Sequence, residues 1–230
     1  GGASGLGLAT AKKLLQEGCK VLVCDINRTS EIDTLGGDIT SEESVKAAID
    51  LAKAKFLYIN CVVNCAGIGI SRKTISNSSN RLHDLKEFER VLKVNTVGTF
   101  NVIRLTALSM AQNEPDEDGE RGVIINTASV SAFEGQVGQV AYAASKAAIV
   151  GMTLPVARDL SRHGIRCIFD TGTAIAKTPK GALHHLVKSV PFPNRPGRPE
   201  EFAHLVRCII ENSMLNGTTI RLDGALRLPP

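Results

Sequence analysis

The chain alternates between two kinds of apolar pattern. Apolar residues recur at helical spacing from Leu6 to Gln16, and a short continuous apolar run follows at 21–24. Such continuous runs are typical of strands buried on both faces of a parallel sheet. A second helix is predicted from Val45 to Phe56, because its apolar residues share one face and Thr40 and Glu43 precede them at capping-box spacing.

The same alternation continues along the rest of the chain. The predicted strands are 58–64, 122–129, 165–169 and 218–223, and the predicted helices are 84–110, 139–162 and one after Pro199. Strands alternating with helices, with glycines at the strand ends, indicate an α/β fold whose parallel sheet is covered on both faces. We predict a single domain over residues 1–230, because a chain of this length forms one substantial core.

The charge and composition of the chain argue against nucleic-acid binding, a metal site and a membrane span. The net charge is +4, but the cations are scattered, whereas a nucleic-acid-binding surface needs them clustered. The acidic segment 113–122 is rich in turn formers and is predicted to be a solvated loop, not a metal site. No apolar segment stands out at the roughly 20 residues that cross a bilayer, so we expect no membrane span.

The six cysteines have no zinc-site spacing, and several lie within apolar runs. They are Cys19, Cys24, Cys61, Cys65, Cys167 and Cys208. A chain of this size and composition does not need disulfides for stability. We therefore predict buried, reduced thiols and an intracellular compartment.

The first seven residues, GGASGLG, are glycine-rich and lead directly into a predicted helix. A bare backbone at a helix N-terminus can approach a phosphate closely. Asp25 closes the next apolar strand 18 residues after Gly7, where a carboxylate can accept both ribose hydroxyls of an adenosine. Asp25 could instead simply end its strand, but the preceding loop favours a dinucleotide, and an acid here favours NAD over NADP.

A second group of residues suggests proton transfer. Ser129 ends a predicted strand, Tyr142 follows 13 residues later, and Lys146 lies four residues beyond it. On a helix Tyr142 and Lys146 share a face, so the ammonium is expected to lower the pKa of the phenol. Tyr142 alone could be a surface residue, but with Ser129 and the glycine loop it is a candidate general acid or base.

Several stretches resemble the short-chain dehydrogenases. They are GGASGLGLATA, VNCAGI, VNTVGTFNVIRL, the run from QNEPDEDGERGVIINTAS to AYAASKAAIVGMTLPVARDL, PFPNR, AHLV and NGTTIRLDGALR. The resemblance extends throughout the chain and implies a doubly wound, Rossmann-type sheet. It also implies NAD-dependent oxidation of secondary alcohols, including short and branched 3-hydroxyacyl-CoAs and hydroxysteroids, in a mitochondrial homotetramer joined through helices 84–110 and 139–162.

The resemblance assigns roles to individual positions. The implied cofactor-binding residues are Gly1, Ser4, Gly5, Leu6, Gly7, Asp25, Asp38, Ile39, Cys65, Tyr142, Lys146 and Thr178. The implied catalytic residues are Asn95, Ser129, Tyr142 and Lys146, with Ser129 and Tyr142 also contacting the substrate. Asn64 matches a family motif, but packing explains it equally well. No metal is implied.

Three departures from the family pattern are visible. The strand that precedes the glycine loop in the family is missing before Gly1, so we expect the sheet to lack a central strand. Only 12 residues separate Asp25 from Asp38, too few for the family's helix and returning strand, so we expect an altered sheet edge. After 165–169 the family's Pro-Gly turn is replaced by DTGTAIAKTPKG, which changes the segment framing the substrate pocket.

These departures leave two alternatives to an active dehydrogenase. One is a catalytically weak scaffold subunit that supports a mitochondrial tRNA-processing partner, as the resemblance allows. The other is a chain that cannot fold stably. Tight NADH binding would favour an active dehydrogenase over the scaffold subunit.

Overall fold

The computed structural model describes residues 1–76, 80–170 and 189–228. Its helices are α1 (Gly5–Gln16), α2 (Glu42–Phe56), α3 (Leu85–Leu92), α4 (Thr99–Met110), α5 (Val140–Leu160) and α6 (Pro199–Glu211). Its strands are β1 (Val23–Asp25), β2 (Thr34–Gly36), β3 (Cys61–Asn64), β4 (Ile75–Ser76), β5 (Arg81–Leu82), β6 (Gly122–Thr127), β7 (Ile165–Asp170) and β8 (Thr219–Ile220). A π-helical segment, Lys93–Gly98, joins α3 to α4, and short 3₁₀ turns occupy Val130–Ala132 and Ser161–His163.

The parallel strands lie in two sheets. Strands β3, β6, β7 and β8 form the larger sheet in that order, and β1 pairs with β2 in the smaller one. In the described parts of the chain, no strand pairing joins β1 to β3. These findings confirm the predicted parallel α/β fold.

The smaller sheet corrects one prediction. The segment between Asp25 and Asp38 is predicted to be too short for the family's helix and returning strand, but β2 does return and pairs in parallel with β1, with Asp25 opposite Gly36. The connection, residues 26–33, contains no helix. The connection can return without a helix because it has only a three-residue strand to run back along, at about 3.3 Å per residue.

Two apolar layers enclose the larger sheet. On one face the buried side chains of Val123, Ile125 and Ile168 pack against α6 through Phe202, Val206 and Ile209. On the other face Ile124 and Cys167 pack against α4 and α5 through Ile103, Val156 and Ala157. Residues of β7 alternate between the two layers, as parallel strands with both faces covered do.

Element boundaries differ from the sequence predictions in small ways. Ser41, not Thr40, caps α2, because its side chain accepts the amide of Ser44 at 3.1 Å. The span predicted as one helix, 84–110, is helical from Leu85 to Met110, but the π-helical segment divides it into α3 and α4. All six cysteines are free, but the prediction that they are buried holds only for Cys167. Cys19 is exposed after the end of α1, and the other four are partly exposed.

The helix Val140–His163 is long and apolar enough to cross a membrane, by length and composition alone. The expectation that no apolar segment reaches this length was therefore wrong. The helix packs against β7 and the 3₁₀ turn Val130–Ala132, as the core helix of an α/β fold does. Such core helices pass the same test of length and hydropathy, because both faces of the sheet must be covered by apolar surface.

Candidate active site

The glycine turn needs glycines because the backbone is tightly packed there. A Cβ on Gly1 would lie 2.3 Å from the amide nitrogen of Ala66, and a Cβ on Gly7 would lie 2.1 Å from the carbonyl oxygen of Gly1. Gly5 has a φ of +53°, in the left-handed region. Ser4 is the exposed N-cap of α1, and Leu6 packs towards the face of the sheet that α6 covers.

The first turn of α1 offers an anion site beside this packed backbone. The first amides of a helix have no intrahelical acceptor and carry the positive end of its dipole. The turn is anchored to β1, because the Gly2 amide donates to the Cys24 carbonyl at 3.1 Å. The close approach and the free amides together form a cradle that suits a pyrophosphate.

Asp25 lies at the carboxyl end of β1 and is 9% exposed. Its carboxylate accepts the amides of Ala3 at 3.1 Å and Asn27 at 3.0 Å. Burial acts to raise the pKa of this carboxyl, but the hydrogen bonds from Asn27 and Ala3 outweigh it, so the net pKa is lowered. The glycine turn is thus adjacent to an ionised acid.

Asp38 and Ile39 follow β2 at the same edge. The Asp38 carboxylate accepts the amide and the hydroxyl of Thr40, both at 2.8 Å, and its side chain is exposed. The Ile39 carbonyl accepts the side-chain amide of Asn101 at 2.9 Å. Both residues are held in a fixed turn before α2, and their contact with an adenine remains a prediction.

Asn64 ends β3, and Cys65 follows it. The Asn64 side-chain nitrogen donates to Oδ1 of Asn126 at 2.8 Å, and the Asn126 side-chain nitrogen in turn donates to the Cys167 sulfur at 3.4 Å. Asn64 therefore ties three neighbouring strands together, which supports a packing role. Cys65 accepts the Thr127 hydroxyl at 3.6 Å, and burial raises the pKa of its thiol.

Asn95 is fully buried in the π-helical segment between α3 and α4. Its oxygen accepts the Ile68 amide at 2.8 Å, and its nitrogen donates to the Ile68 carbonyl at 2.8 Å and to the Ser145 hydroxyl at 2.9 Å. These bonds fasten the helix to the segment after β3 and to α5. Single π-helical turns frequently occur at functional sites, because they reorient a side chain.

Lys146 is buried on α5, and its ammonium nitrogen lies 5.7 Å from the centroid of the Tyr142 ring. The ammonium donates to the carbonyl of Thr127 at the end of β6, at 2.7 Å. Burial lowers the pKa of Lys146 from 10.5 to about 8, because the charged form loses hydration.

The pKa of Tyr142 moves in the opposite direction from our expectation. Burial raises it, and a hydrogen bond with the Ser129 side chain acts to lower it. The prediction that Lys146 lowers this pKa was wrong for the present arrangement, because the ammonium is directed to Thr127 and the phenol is desolvated. Ser129 is thus the side chain that favours the phenolate here.

Ser129 is fixed by the chain that follows it. It is the N-cap of the 3₁₀ turn Val130–Ala132, and its hydroxyl accepts the Ser131 amide at 3.2 Å. Its carbonyl accepts the amide of Ala132 at 3.0 Å. The hydroxyl therefore occupies a defined place beside Tyr142, at the carboxyl end of the sheet.

The structure brings most predicted residues to one edge. Asn95 and Lys146 flank Gly67, where a Cβ would lie 3.3 Å from the Asn95 oxygen and 3.6 Å from the Lys146 nitrogen. A Cβ on Gly69 would lie 3.5 Å from the Tyr142 ring.

One predicted site residue, Thr178, lies outside the described residues. Sequence reasoning missed Thr127, Ile68 and Ser145, of which only Ser145 had a signal, a polar residue on the buried stripe of α5.

Comparisons with known proteins agree with this geometry. Residues 1–181 match the family described as short chain dehydrogenase. The full chain is 52% identical over 246 residues to 3-hydroxyacyl-CoA dehydrogenase type-2 of Rattus norvegicus, covering 94% of that protein. It is 51% identical over 245 residues to the protein of the same name from Drosophila melanogaster, covering 96% of it.

A solved structure extends the likeness to three dimensions. The crystal structure of 3-hydroxyacyl-CoA dehydrogenase type-2 from Mycobacterium avium matches with a TM-score of 0.92 at 36% identity, covering 100% of this chain and 95% of that one. The glycine turn, the Tyr142 and Lys146 pair and these full-length similarities lead to one conclusion. The chain belongs to the short-chain dehydrogenase family and is an oxidoreductase.

Proposed function

We propose that this chain oxidises secondary alcohols with NAD as the hydride acceptor. The observation that carries the proposal is the buried Tyr142 phenol, whose pKa the Ser129 side chain acts to lower and whose ring stands 5.7 Å from a buried lysine ammonium. A phenol, a hydroxyl donor and a cation at one sheet edge are what proton removal from an alcohol needs.

The described residues suit NAD. The glycine turn and the first amides of α1 would hold the pyrophosphate, and the Asp25 carboxylate would accept the adenosine ribose hydroxyls. An ionised acid at this place repels a 2′-phosphate, which favours NAD over NADP. When bound, NAD supplies the nicotinamide that takes up the hydride.

The protein's own residues move the proton. Ser129 holds the substrate oxygen by a hydrogen bond, and Tyr142 accepts the hydroxyl proton as the carbonyl forms. The Ser129 side chain favours the phenolate that must exist before this transfer, and the Thr127 carbonyl holds the buried Lys146 ammonium beside the Tyr142 ring. Asn95 bridges the segment after β3 to α5, where it can position a water that carries protons to solvent.

We propose 3-hydroxyacyl-CoAs as the substrates, with hydroxysteroids as further substrates. The first class is supported by the name of the full-length relatives, 3-hydroxyacyl-CoA dehydrogenase type-2. The steroid class, a mitochondrial location and a homotetramer follow from the family resemblance and are proposed on that basis.

The test replaces the phenol without changing its ring. In Tyr142→Phe, turnover of 3-hydroxybutyryl-CoA with NAD should fall by about 10²-fold or more, because general base catalysis is lost. NADH affinity, measured by the fluorescence of the bound coenzyme, should stay within about threefold of wild type, because the coenzyme keeps its contacts elsewhere. Full turnover in Tyr142→Phe would show that another group is the base.

A scaffold subunit for a mitochondrial tRNA-processing partner is the second candidate. It is favoured by the division of the described parallel strands into two sheets, which separates Asp25 from the sheet that carries the proton machinery. Wild-type protein that folds and forms oligomers but fails to bind NADH would favour this scaffold over the enzyme.

A further inference from the structure

The segment after Ser129 is connected to the C-terminal part of the chain. The 3₁₀ turn Val130–Ala132 leads directly to Phe133 and Glu134, and the amide of Glu134 donates to the Val130 carbonyl at 3.0 Å. Because a hydrogen-bonded turn links them, a displacement of Glu134 is transmitted to Ser129.

Arg221 forms a two-point ion pair with Glu134. Its Nη1 donates to Glu134 Oε1 at 2.8 Å and its Nη2 to Oε2 at 3.1 Å. Its Nε donates to the Asp223 carboxylate at 2.7 Å, and its guanidinium lies 5.2 Å from the centroid of the Phe133 ring. Glu134 and Arg221 are 19% and 24% exposed, so solvent screens this pair less than it screens a surface pair.

Apolar contacts strengthen the same connection. Val130 is buried in a cluster with Val190 and Leu226, and Leu228 packs against the cluster. The Leu228 amide is also within 3.5 Å of a Glu134 oxygen. The turn after the catalytic serine therefore rests on residues 221–228 through both an ion pair and an apolar cluster.

We infer that Glu134 and Arg221 are positioning residues, whose ion pair holds the turn that places the Ser129 hydroxyl against Tyr142. The inference rests on the proposed function, because it gives the C-terminal segment a part in that reaction. The pair does not touch the reacting atoms. It acts through the backbone of the 3₁₀ turn.

The test is Glu134→Gln, which keeps the side-chain shape and removes the charge. We expect kcat with 3-hydroxybutyryl-CoA to fall by roughly tenfold, since small displacements of a positioned group cost this much or more. The acid limb of the pH profile, which the pKa of the Tyr142 base sets, should move to higher pH, because the interaction with Ser129 that lowers this pKa is weakened. The affinity for NADH should stay within about twofold of wild type.

Glu201→Gln is the matched control. Glu201 also pairs with an arginine at two points, Arg195, and both partners are about one-third exposed. Glu201 lies on α6, and its described side-chain hydrogen bonds go to Arg195 and Arg198, not to Glu134 or Arg221. Glu201→Gln should therefore lower stability without moving the pH profile.

A second variant separates positioning from folding. Arg221→Lys keeps the charge but loses the two-point geometry, so its kcat should fall between those of wild type and Glu134→Gln. Unchanged kcat and pH profile in a folded Glu134→Gln protein would overturn the inference, as would an equal shift in Glu201→Gln. If Glu134→Gln does not fold, an Arg221→Lys protein with wild-type kcat and pH profile would overturn it. Wild-type protein that never turns over the alcohol would refute the proposed function instead.

Discussion

Lys146, to which we assign a catalytic role, destabilises the fold at neutral pH because its charge is buried. The pKa of Lys146 is about 8 in the folded protein and 10.5 when unfolded. Below pH 8 both states are protonated and the full cost of burying the charge applies. Between pH 8 and 10.5 the folded state loses the proton first, so stability rises with pH, and above 10.5 the cost has disappeared.

We therefore expect Lys146→Met to raise the free energy of unfolding at pH 7. The difference between the two pKa values of Lys146 corresponds to a gain of about 3 kcal/mol in the free energy of unfolding. The loss of the hydrogen bond to Thr127 reduces this gain. Urea denaturation at pH 7 and pH 10 should show a gain over wild type at pH 7 that shrinks at pH 10. An equal gain at both pH values would mean that the charge is not its source.

The site residues show what could be predicted from sequence at this scale. The spacing of Tyr142 and Lys146 places them correctly on one helix, because a helical repeat is a local property. The direction of the Tyr142 pKa could not be predicted, because it depends on burial and on the Thr127 carbonyl that attracts the ammonium. The two-way bonding of Asn95 to Ile68 likewise depends on a π-helical turn with no clear sequence pattern.

Among the elements, α6 depends on one buried arginine. Arg166 on β7 forms an ion pair with Glu120, and its Nη1 donates to the carbonyls of Ile209, Asn212 and Leu215 near the end of the helix, at 3.0 to 3.2 Å. The guanidinium thus binds carbonyls at and just beyond the C-terminal end of α6, where it also complements the helix dipole.

Arg166→Met should accordingly cost about 3–5 kcal/mol, because it leaves Glu120 and the helix end without their cation. Arg207→Met on α6 is the comparison, since Arg207 pairs with Glu17 and Glu211 at the surface and should cost less than about 1 kcal/mol. Guanidinium denaturation measures both. Similar losses of unfolding free energy in the two variants would show that the buried hydrogen bonds of Arg166 add nothing to stability.

Element prediction succeeded where the pattern is local and long. The helices α1, α2, α5 and α6 all lie where their apolar spacing predicted them. Strand β2 was missed because three residues carry no periodicity, and its pairing with β1 is decided by tertiary contacts. The cap of α2 was displaced by one residue because two neighbouring hydroxyl residues compete for it.

At the level of the whole molecule, α4 and α5 carry exposed apolar side chains. They are Val97, which directly precedes α4 in the π-helical segment, Phe100 and Leu108 on α4, and Val140 and Leu154 on α5. Gly151 on α5 adds bare backbone there, with no atom of the described chain within 4 Å of a Cβ built on it. Apolar surface of this kind on neighbouring helices favours association with a second copy.

We predict that Leu108→Glu shifts the protein to smaller species, because a charge would be buried in the subunit contact. Light scattering coupled to size exclusion measures the mass. Met214→Glu serves as the control, since Met214 is exposed in the loop after α6 and should leave the mass unchanged. Wild-type protein that is already monomeric would refute the homotetramer.

The two-sheet arrangement has an evolutionary consequence. Asp25, the acid proposed to select the cofactor, stands on the small β1–β2 sheet, whereas Ser129, Tyr142 and Lys146 belong to the large sheet and its helix α5. The glycine turn contacts both, through Cys24 on one side and Ala66 on the other. Substitutions on the small sheet can therefore change cofactor preference while the residues proposed for proton transfer stay unchanged, so the two traits can evolve one at a time.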